Sequence, residues 1–223
     1  MKFLRQVLAI ISKDLVAEFR TKENLSAMLV FSLLVLVIFN FAFELQGVDI
    51  TVLGSGILWV AFTFSGILGL GRSFAAEKDK GSLEGVMLSP VDRGAVFLGK
   101  AVSNFLFITV MEAVTLPLFA LLNNAGFNGF PLILYIVMGT IGFAAMGTLL
   151  SAVASSTKMR EVMLPILLFP VSIPLLMAVV KLTSSALQNR SFDDVSNWFS
   201  ILLVYDVIFV VVAFWVFEYV VEE

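Results

Sequence analysis

Six long stretches of almost uninterrupted apolar residues constrain the fold of this chain more than any other feature. They cover about residues 25–43, 51–71, 101–122, 130–152, 162–180 and 199–221. A bilayer core about 30 Å thick is spanned by roughly 20 helical residues, each of which rises about 1.5 Å. Each stretch is therefore long enough to cross a membrane as one helix. The sequence predicts an all-α integral membrane protein with six transmembrane helices, in which residues 1–223 form a single transmembrane domain.

The composition supports the same conclusion, because 60% of the residues are apolar and only 14% are charged. Soluble domains are about 45–50% apolar and about 25% charged. The chain contains no His and no Cys. Their absence excludes a His/Cys zinc site, a catalytic His, a Cys nucleophile and a disulfide. We therefore expect no metal site and no catalytic residues.

The positions of the basic residues indicate how the spans are oriented. Of the 14 Lys and Arg residues, all but Lys181 and Arg190 lie before the first span or in the second and fourth loops. By the positive-inside rule these segments, and with them both termini, are cytoplasmic. Lys100, at the end of a span, is expected to extend its ammonium group to the membrane surface. All these basic residues flank spans, which argues against nucleic acid binding.

The first 23 residues predict an amphipathic helix that lies in the cytoplasmic interface. At about 100° per residue, seven apolar side chains fall on one face and four basic side chains fall roughly opposite. The apolar set is Phe3, Leu4, Val7, Leu8, Ile11, Leu15 and Phe19, and the basic set is Lys2, Arg5, Lys13 and Arg20. Glu18 interrupts the apolar face. A helix packed against the other spans is the alternative interpretation.

The second loop, residues 72–100, is too long and too charged to be a simple turn. The second span is predicted to continue as a helix to about Lys80, where Gly81 can end it. The segment that follows exposes three apolar side chains beside Glu84, namely Leu83, Val86 and Met87. A small apolar surface ringed by charge suits docking to a cytoplasmic partner, whereas a solvated loop is the alternative.

Two groups of motifs carry a resemblance to known permeases. The run Glu77-Lys-Asp-Lys-Gly-Ser-Leu-Glu, followed by Leu88-Ser-Pro, resembles the signature after the second span of ABC-2-type export permeases. More narrowly, the chain resembles the haem exporter protein B family of cytochrome c maturation permeases over essentially its whole length. The matching motifs are Gly56-Ile-Leu-Trp-Val-Ala, Leu70-x-Arg-x-Phe, Leu98-x-Lys and Leu164-Pro-Ile-Leu-x-x-Pro-Val-x-Ile-Pro-Leu-Leu.

The resemblance implies an ABC-2-type architecture in which the segment after the second span contacts an ATPase subunit. The implied coupling residues are Glu77, Gly81, Ser82, Leu83, Glu84, Val86 and Met87. No P-loop sequence occurs in the chain, so ATP is expected on a separate subunit. The other implied partners are a haem-handling membrane subunit and a periplasmic haem chaperone. Paired ATPases require either two copies of this subunit, as a homodimer, or one copy with another membrane partner. The implied location is the bacterial inner membrane. Haem is the implied cargo, and no tightly bound cofactor is expected.

Three prolines, Pro165, Pro170 and Pro174, lie within the fifth span. Each proline removes an amide donor and disturbs a helical turn. Inside a membrane the freed carbonyl groups must be satisfied by protein or by water. The sequence therefore predicts a broken helix near the outer leaflet that gates or shapes a translocation path. A kinked packing helix is the alternative.

Two acidic residues, Glu112 and Asp206, fall inside the third and sixth spans. A carboxylate within a membrane is costly and by default indicates function or a buried partner. Both residues are therefore candidates for the translocation path, and a protonated, hydrogen-bonded structural role is the alternative.

Taken together, the motifs predict the transmembrane subunit of an ATP-driven export complex for cytochrome c maturation. The resemblance implies that this subunit supports haem delivery to, or release of, the periplasmic haem chaperone. Two alternatives are an ABC-2 permease that exports a lipid-linked glycan or a drug, and a membrane scaffold that transports nothing.

Overall fold

A computed structural model describes residues 2–44, 50–79, 85, 91–123, 129–157 and 159–220. Within these ranges the chain forms seven α-helices and one short 3-10 helix. They are α1 (Lys2–Thr21), α2 (Glu23–Glu44), α3 (Ile50–Asp79), α4 (Arg93–Asn123), α5 (Gly129–Ser155), α6 (Arg160–Leu187), the 3-10 helix Phe192–Val195, and α7 (Ser196–Val220). Six helical segments are long and apolar enough to cross a membrane. The predicted all-α architecture with six spans and a preceding helix is confirmed.

The spanning helices are longer than their apolar stretches. Helix α3 continues past the apolar stretch to Asp79, and α4 already begins at Arg93. At about 1.5 Å per residue, the 30 residues of α3 extend about 45 Å. This exceeds the thickness of a bilayer core, so charged turns of α3 and α4 project beyond it.

Helix α1 packs along α4 through a close backbone approach. A Cβ atom at Gly99 of α4 would lie only 2.7 Å from the Cβ of Ile10, so glycine is required at this contact. Val7 is buried on the same flank of α1, while Leu4 and Phe19 remain exposed on the other flank. One face of the helix thus packs on the bundle, as in the alternative interpretation of its sequence. The other face presents an apolar surface outward, as expected of an interfacial helix. Its location in the membrane interface stays a prediction.

The centre of the bundle is formed by α3 and α5, the two spans with the largest buried share. Trp59 of α3 packs against Gly139 of α5, where a Cβ atom would overlap the indole ring. The indole N–H of Trp59 donates to Oγ1 of Thr183 on α6 at 3.0 Å. This buried hydrogen bond ties the central helices to α6.

The two ends of the bundle differ in chemistry and are named here for later use. The basic end is where α1, the last turns of α3 and the first turns of α4 meet. The opposite end is where the last turns of α6, the 3-10 helix and the start of α7 meet.

Candidate functional site

A group of paired acidic and basic side chains lies at the basic end around the buried Lys100, and we call Lys13, Asp14, Glu77 and Lys100 the ionic cluster. Lys100 is only 3% exposed. Its Nζ lies 3.1 Å from Oδ2 of Asp14 and donates to Oε1 of Glu77 at 2.8 Å. The same Nζ donates to the carbonyl oxygen of Ser73 at 3.2 Å. The cluster therefore joins α1, α3 and α4 through one buried ammonium group.

The fourth member of the ionic cluster, Lys13, donates to Glu77 from the surface side. Burial alone would raise the pKa of Glu77, but the charges and hydrogen bonds of Lys100 and Lys13 hold it below its ordinary value. Burial would likewise lower the pKa of Lys13, but Glu77 and Asp14 raise it above its ordinary value. Both groups are therefore ionised at neutral pH, and the cluster is an ion-pair network.

Lys100 was expected to extend its charge to the membrane surface, and the structure shows that this expectation was wrong. The side chain turns inward because Asp14 and Glu77 supply two carboxylates within hydrogen-bonding distance. A buried charge is tolerated when it is paired and its donors are satisfied. The ring of Phe74, whose centroid lies 5.5 Å from Nζ, adds a cation–π contact.

The joint between α1 and α2 also depends on a buried acid. Glu18, which interrupts the apolar face of α1, accepts a hydrogen bond at 2.7 Å from the backbone N–H of Leu25 in the first turn of α2. Between the helices, Lys22 adopts a left-handed backbone with φ of 55°. Glu18 therefore caps α2 and fixes the turn, which explains an acid at an otherwise apolar position.

A cavity of about 1120 Å³ adjoins the ionic cluster and extends between α1, α2, α3, α4 and α6. Its walls combine the four cluster residues with apolar side chains of the spans, among them Ile67, Phe107 and Leu164. Arg72 and Arg160 also line it. A movement of the cluster would therefore change the shape of this cavity.

Of the predicted coupling residues, Glu77 is the one within the described ranges, and it lies in the ionic cluster. The other six, Gly81, Ser82, Leu83, Glu84, Val86 and Met87, lie outside the described residues. Glu77 stands two residues before the end of α3 at Asp79. Glu77 therefore joins the last turns of α3 to Lys100 and, through Lys100, to Asp14.

The predicted break in the fifth span is not present, because α6 continues as one helix through all three prolines. Each proline removes one amide donor, and the remaining hydrogen bonds keep the turns helical. Pro170 and Pro174 are exposed on the outer face of α6, and Pro165 is half-buried. Their missing amides leave carbonyl groups without an intrahelical donor one turn earlier. Such groups are costly in hydrocarbon, so this face requires a partner or water.

Glu112 is buried between α4 and α5. Its Oε1 lies 2.7 Å from Oγ1 of Thr140, which also lies 2.9 Å from the carbonyl oxygen of Ile136. A hydroxyl group has a single proton, so both hydrogen bonds form together only when the carboxyl group of Glu112 is protonated. This arrangement fits a neutral acid that helps to join two spans.

Asp206 of α7 is buried against α5, where a Cβ atom at Gly142 would overlap Oδ1 of Asp206. Among the described residues this oxygen has no hydrogen-bond partner. Thr140 and Gly142 are two residues apart on α5 and therefore face in nearly opposite directions. The structure thus places Glu112 and Asp206 on different sides of α5 and the exposed prolines on a third surface, so the predicted path residues do not form one site.

The roles of Lys13, Asp14 and Lys100 in this cluster were not predicted from the sequence. One signal was present: Asp14 and Glu18 are four residues apart and so share a face of α1 near its apolar stripe. Two acids on that face indicate buried partners. The identity of those partners depends on a contact between residues 86 positions apart, which the sequence pattern does not show.

Comparisons with known proteins agree with the fold. The model of the family described as CcmB protein matches residues 5–222. A protein of Pseudomonas aeruginosa named heme exporter protein B is 30% identical over 171 residues, which cover 76% of this chain and 75% of that protein. A protein of Rhodobacter capsulatus with the same name is 28% identical over 186 residues, which cover 83% of this chain and 85% of that protein.

Proposed function

Because the chain belongs to the CcmB protein family, we propose that it is the membrane subunit of an ATP-driven complex that exports haem for cytochrome c maturation. The names of its relatives support haem as the cargo. We propose that the subunit supports haem delivery to, or release of, a periplasmic haem chaperone. The single structural observation that supports coupling is the ionic cluster, in which Glu77 of the permease signature is bonded to α1 and α4.

ATP hydrolysis is assigned to a separate cytoplasmic subunit, because the chain has no P-loop sequence. Closure of an ATPase pair would press on the segment after Asp79. The movement would pass through Glu77 to Lys100 and Asp14 and would shift α1 and α4 with α3. Since α3 is a continuous helix of 30 residues, it would carry the displacement across the membrane.

The exposed proline face of α6 supports a second protein chain at this surface. Pro170 and Pro174 leave the carbonyl groups of Ile166 and Pro170 without intrahelical donors on the outer side of the helix. We propose that a second copy, or the haem-handling membrane subunit, covers this face, and that the path runs between the chains. With no His or Cys, the walls would hold haem by apolar contact rather than by strong axial ligands.

The orientation follows from the basic residues. We propose that the basic end is cytoplasmic and the opposite end is periplasmic in the bacterial inner membrane. A cysteine introduced at Lys78 should resist impermeant thiol reagents added to the outside of intact spheroplasts, whereas a cysteine at Arg190 should react. The reverse labelling pattern would contradict this orientation.

The proposed function is tested by purifying the tagged chain in mild detergent from its native host. Mass spectrometry should identify an ATPase subunit, and Glu77→Lys should lower co-purified ATPase or cytochrome c yield, each normalised to the amount of permease in the membrane. The matched control is Asp193→Lys at the opposite end, which reverses the same charge outside the ionic cluster and should behave as wild type. If an ATPase co-purifies with the wild-type chain but Glu77→Lys leaves the cytochrome c yield unchanged, another cargo would be favoured. A chain that brings no ATPase would favour a scaffold.

A further inference from the structure

A second cavity, of about 350 Å³, lies at the opposite end, between the last turns of α6 and the start of α7. Lys181 and Arg190, the two basic residues that lie outside the basic segments of the sequence, both line this cavity. Asp194 and Trp198 complete its charged and aromatic lining. The two positive charges of this end therefore converge on one small volume.

The backbone fixes where Arg190 lies. Helix α6 ends in a Schellman motif, in which the N–H of Arg190 donates to the carbonyl oxygen of Ser185 at 3.0 Å and the N–H of Asn189 donates to that of Ala186 at 3.4 Å. Asn189 takes the left-handed position of the motif with φ of 53°. Lys181 and Ser185 are four residues apart and share a face of α6. The motif thus anchors Arg190 on the same side of the helix as Lys181.

The charged side chains that line this cavity form no ion pairs within the described part of the chain. Neither Lys181, Arg190 nor Asp194 makes an ion pair there. Two cations and one carboxylate leave a net charge of one positive unit on the cavity wall. The ammonium and guanidinium groups are exposed and therefore available to a ligand.

We propose that this cavity binds the oxyanionic head, a carboxylate or a phosphate, of an amphiphile at the membrane surface. The planar guanidinium group of arginine forms paired hydrogen bonds with carboxylates and phosphates, and lysine adds a point charge. The indole of Trp198 offers an apolar surface at the depth where amphiphiles place their apolar bodies. The cavity lies at the small end of ligand pockets, so it accommodates a headgroup while the apolar body lies against the bundle.

Two sources supply this chemistry. One is a propionate group of haem, and this source rests on the proposed function. The other is the phosphate of a phospholipid, which does not depend on it. The experiment therefore has one arm for each source and compares Lys181→Gln/Arg190→Gln with a matched control, Lys2→Gln/Arg5→Gln, which removes the same charge from exposed residues of α1.

In the haem arm, the chain is placed in phosphatidylcholine nanodiscs and titrated with haem or with haem dimethyl ester, which lacks the carboxylates. Wild type and control should bind haem about tenfold more tightly than the ester. The Lys181→Gln/Arg190→Gln variant should lose this preference. In the lipid arm, native mass spectrometry counts phosphatidylglycerol retained from mixed nanodiscs, and the same variant should lose one lipid that the control keeps.

A loss in either arm identifies the source and supports the site. Equal behaviour of the variant and wild type in both arms would overturn it, and so would equal losses in the variant and the control. Thermal unfolding of each variant shows that the fold is intact. If no ATPase co-purifies with the chain while charge-dependent binding persists, the proposed function is wrong and the oxyanion site stands.

Discussion

Charged residues are arranged differently at the two ends of this bundle. At the basic end, Lys100 is almost fully buried and is bonded to Asp14 and Glu77. At the opposite end, Lys181 and Arg190 are exposed and make no ion pair among the described residues. Taking a charge out of water costs several kcal/mol, so a buried charge persists only with its partners, whereas an exposed charge needs none.

The difference separates two roles for charge in a membrane protein. Buried, mutually paired ions hold helices in fixed relation and transmit movement between them, because displacing one member leaves the others unpaired. Exposed, unpaired cations contribute little to the fold and remain available to bind something else. Substitutions at the two ends test this separation, and we expect their effects to decrease in the following order.

The largest effect is expected from Lys100→Met, which keeps an unbranched side chain of similar shape and removes its charge. Asp14 and Glu77 would then be buried without their main partner, which costs about 3–5 kcal/mol. Thermal unfolding in detergent should show a large drop in Tm, and α1 should become sensitive to protease. The same substitution at the opposite end, Lys181→Met, should change stability by less than about 0.5 kcal/mol. Similar losses in both variants would refute the comparison.

A smaller effect is expected from Glu77→Gln, which keeps the shape and hydrogen-bonding capacity of the side chain but removes its charge. Lys100 retains Asp14 as a partner, so the expected loss is about 1–3 kcal/mol. Chemical or thermal unfolding of the purified chain measures it. Asp193→Asn at the opposite end is the matched control and should be neutral.

Lowering the pH provides an independent test of the ion pair between Glu77 and Lys100. The pKa of Glu77 in the folded protein lies below its ordinary value of 4.5. The unfolded state therefore binds this proton more readily, and the stabilisation is complete above that value and is lost as pH falls through the folded pKa. The difference in Tm between wild type and Glu77→Gln should accordingly shrink under acid conditions. A difference that stays constant with pH would show that charge is not its cause.

At the opposite end, the backbone rather than ion pairing is expected to hold the geometry. Asn189→Val places a β-branched residue at a left-handed position and should cost about 1–2 kcal/mol. Asn189→Gly should be tolerated, because glycine adopts this conformation readily. Unfolding measurements on the two variants provide the check, and a stable valine variant would mean that the Schellman motif contributes little.

The smallest effect is expected from Lys13→Gln. Lys13 belongs to the ionic cluster, but its side chain is 48% exposed. An exposed ion pair is worth about 0.2–1 kcal/mol and is weakened by salt. At low ionic strength, Lys13→Gln should unfold at a slightly lower temperature than wild type. At high ionic strength, this difference in Tm should disappear. A large, salt-independent loss would place Lys13 among the buried members instead.

The number of spans and their helical character could be predicted because apolar length alone decides them. The continuation of the second span as a helix to about Lys80 was also predicted, and α3 ends at Asp79. Hydropathy alone does not locate such ends, since it detects only the apolar section, and α4 already begins at Arg93. Pro165, Pro170 and Pro174 were predicted to break a helix that in fact continues. A proline removes one hydrogen bond locally, and packing of the remaining turns outweighs that loss.

The candidate sites were less accessible to sequence reasoning. Glu112 could be recognised as costly in a membrane, and its bond to Thr140 explains how the cost is met. The partners of Lys100 could not be predicted, because they lie on helices distant in sequence. The convergence of Lys181 and Arg190 on one cavity likewise depends on how α6 ends, which a count of charges does not reveal.

The bond between Asp14 and Lys100 has a consequence for the order in which the protein is assembled during synthesis. The two residues are 86 positions apart, and at roughly 5–20 residues per second a ribosome takes about 4–17 s to advance from one to the other. Until α4 has left the ribosome, Asp14 has no buried partner and its carboxylate must stay in water. We therefore expect the first helix to remain in contact with water while two spans insert and to reach its final place only after the third.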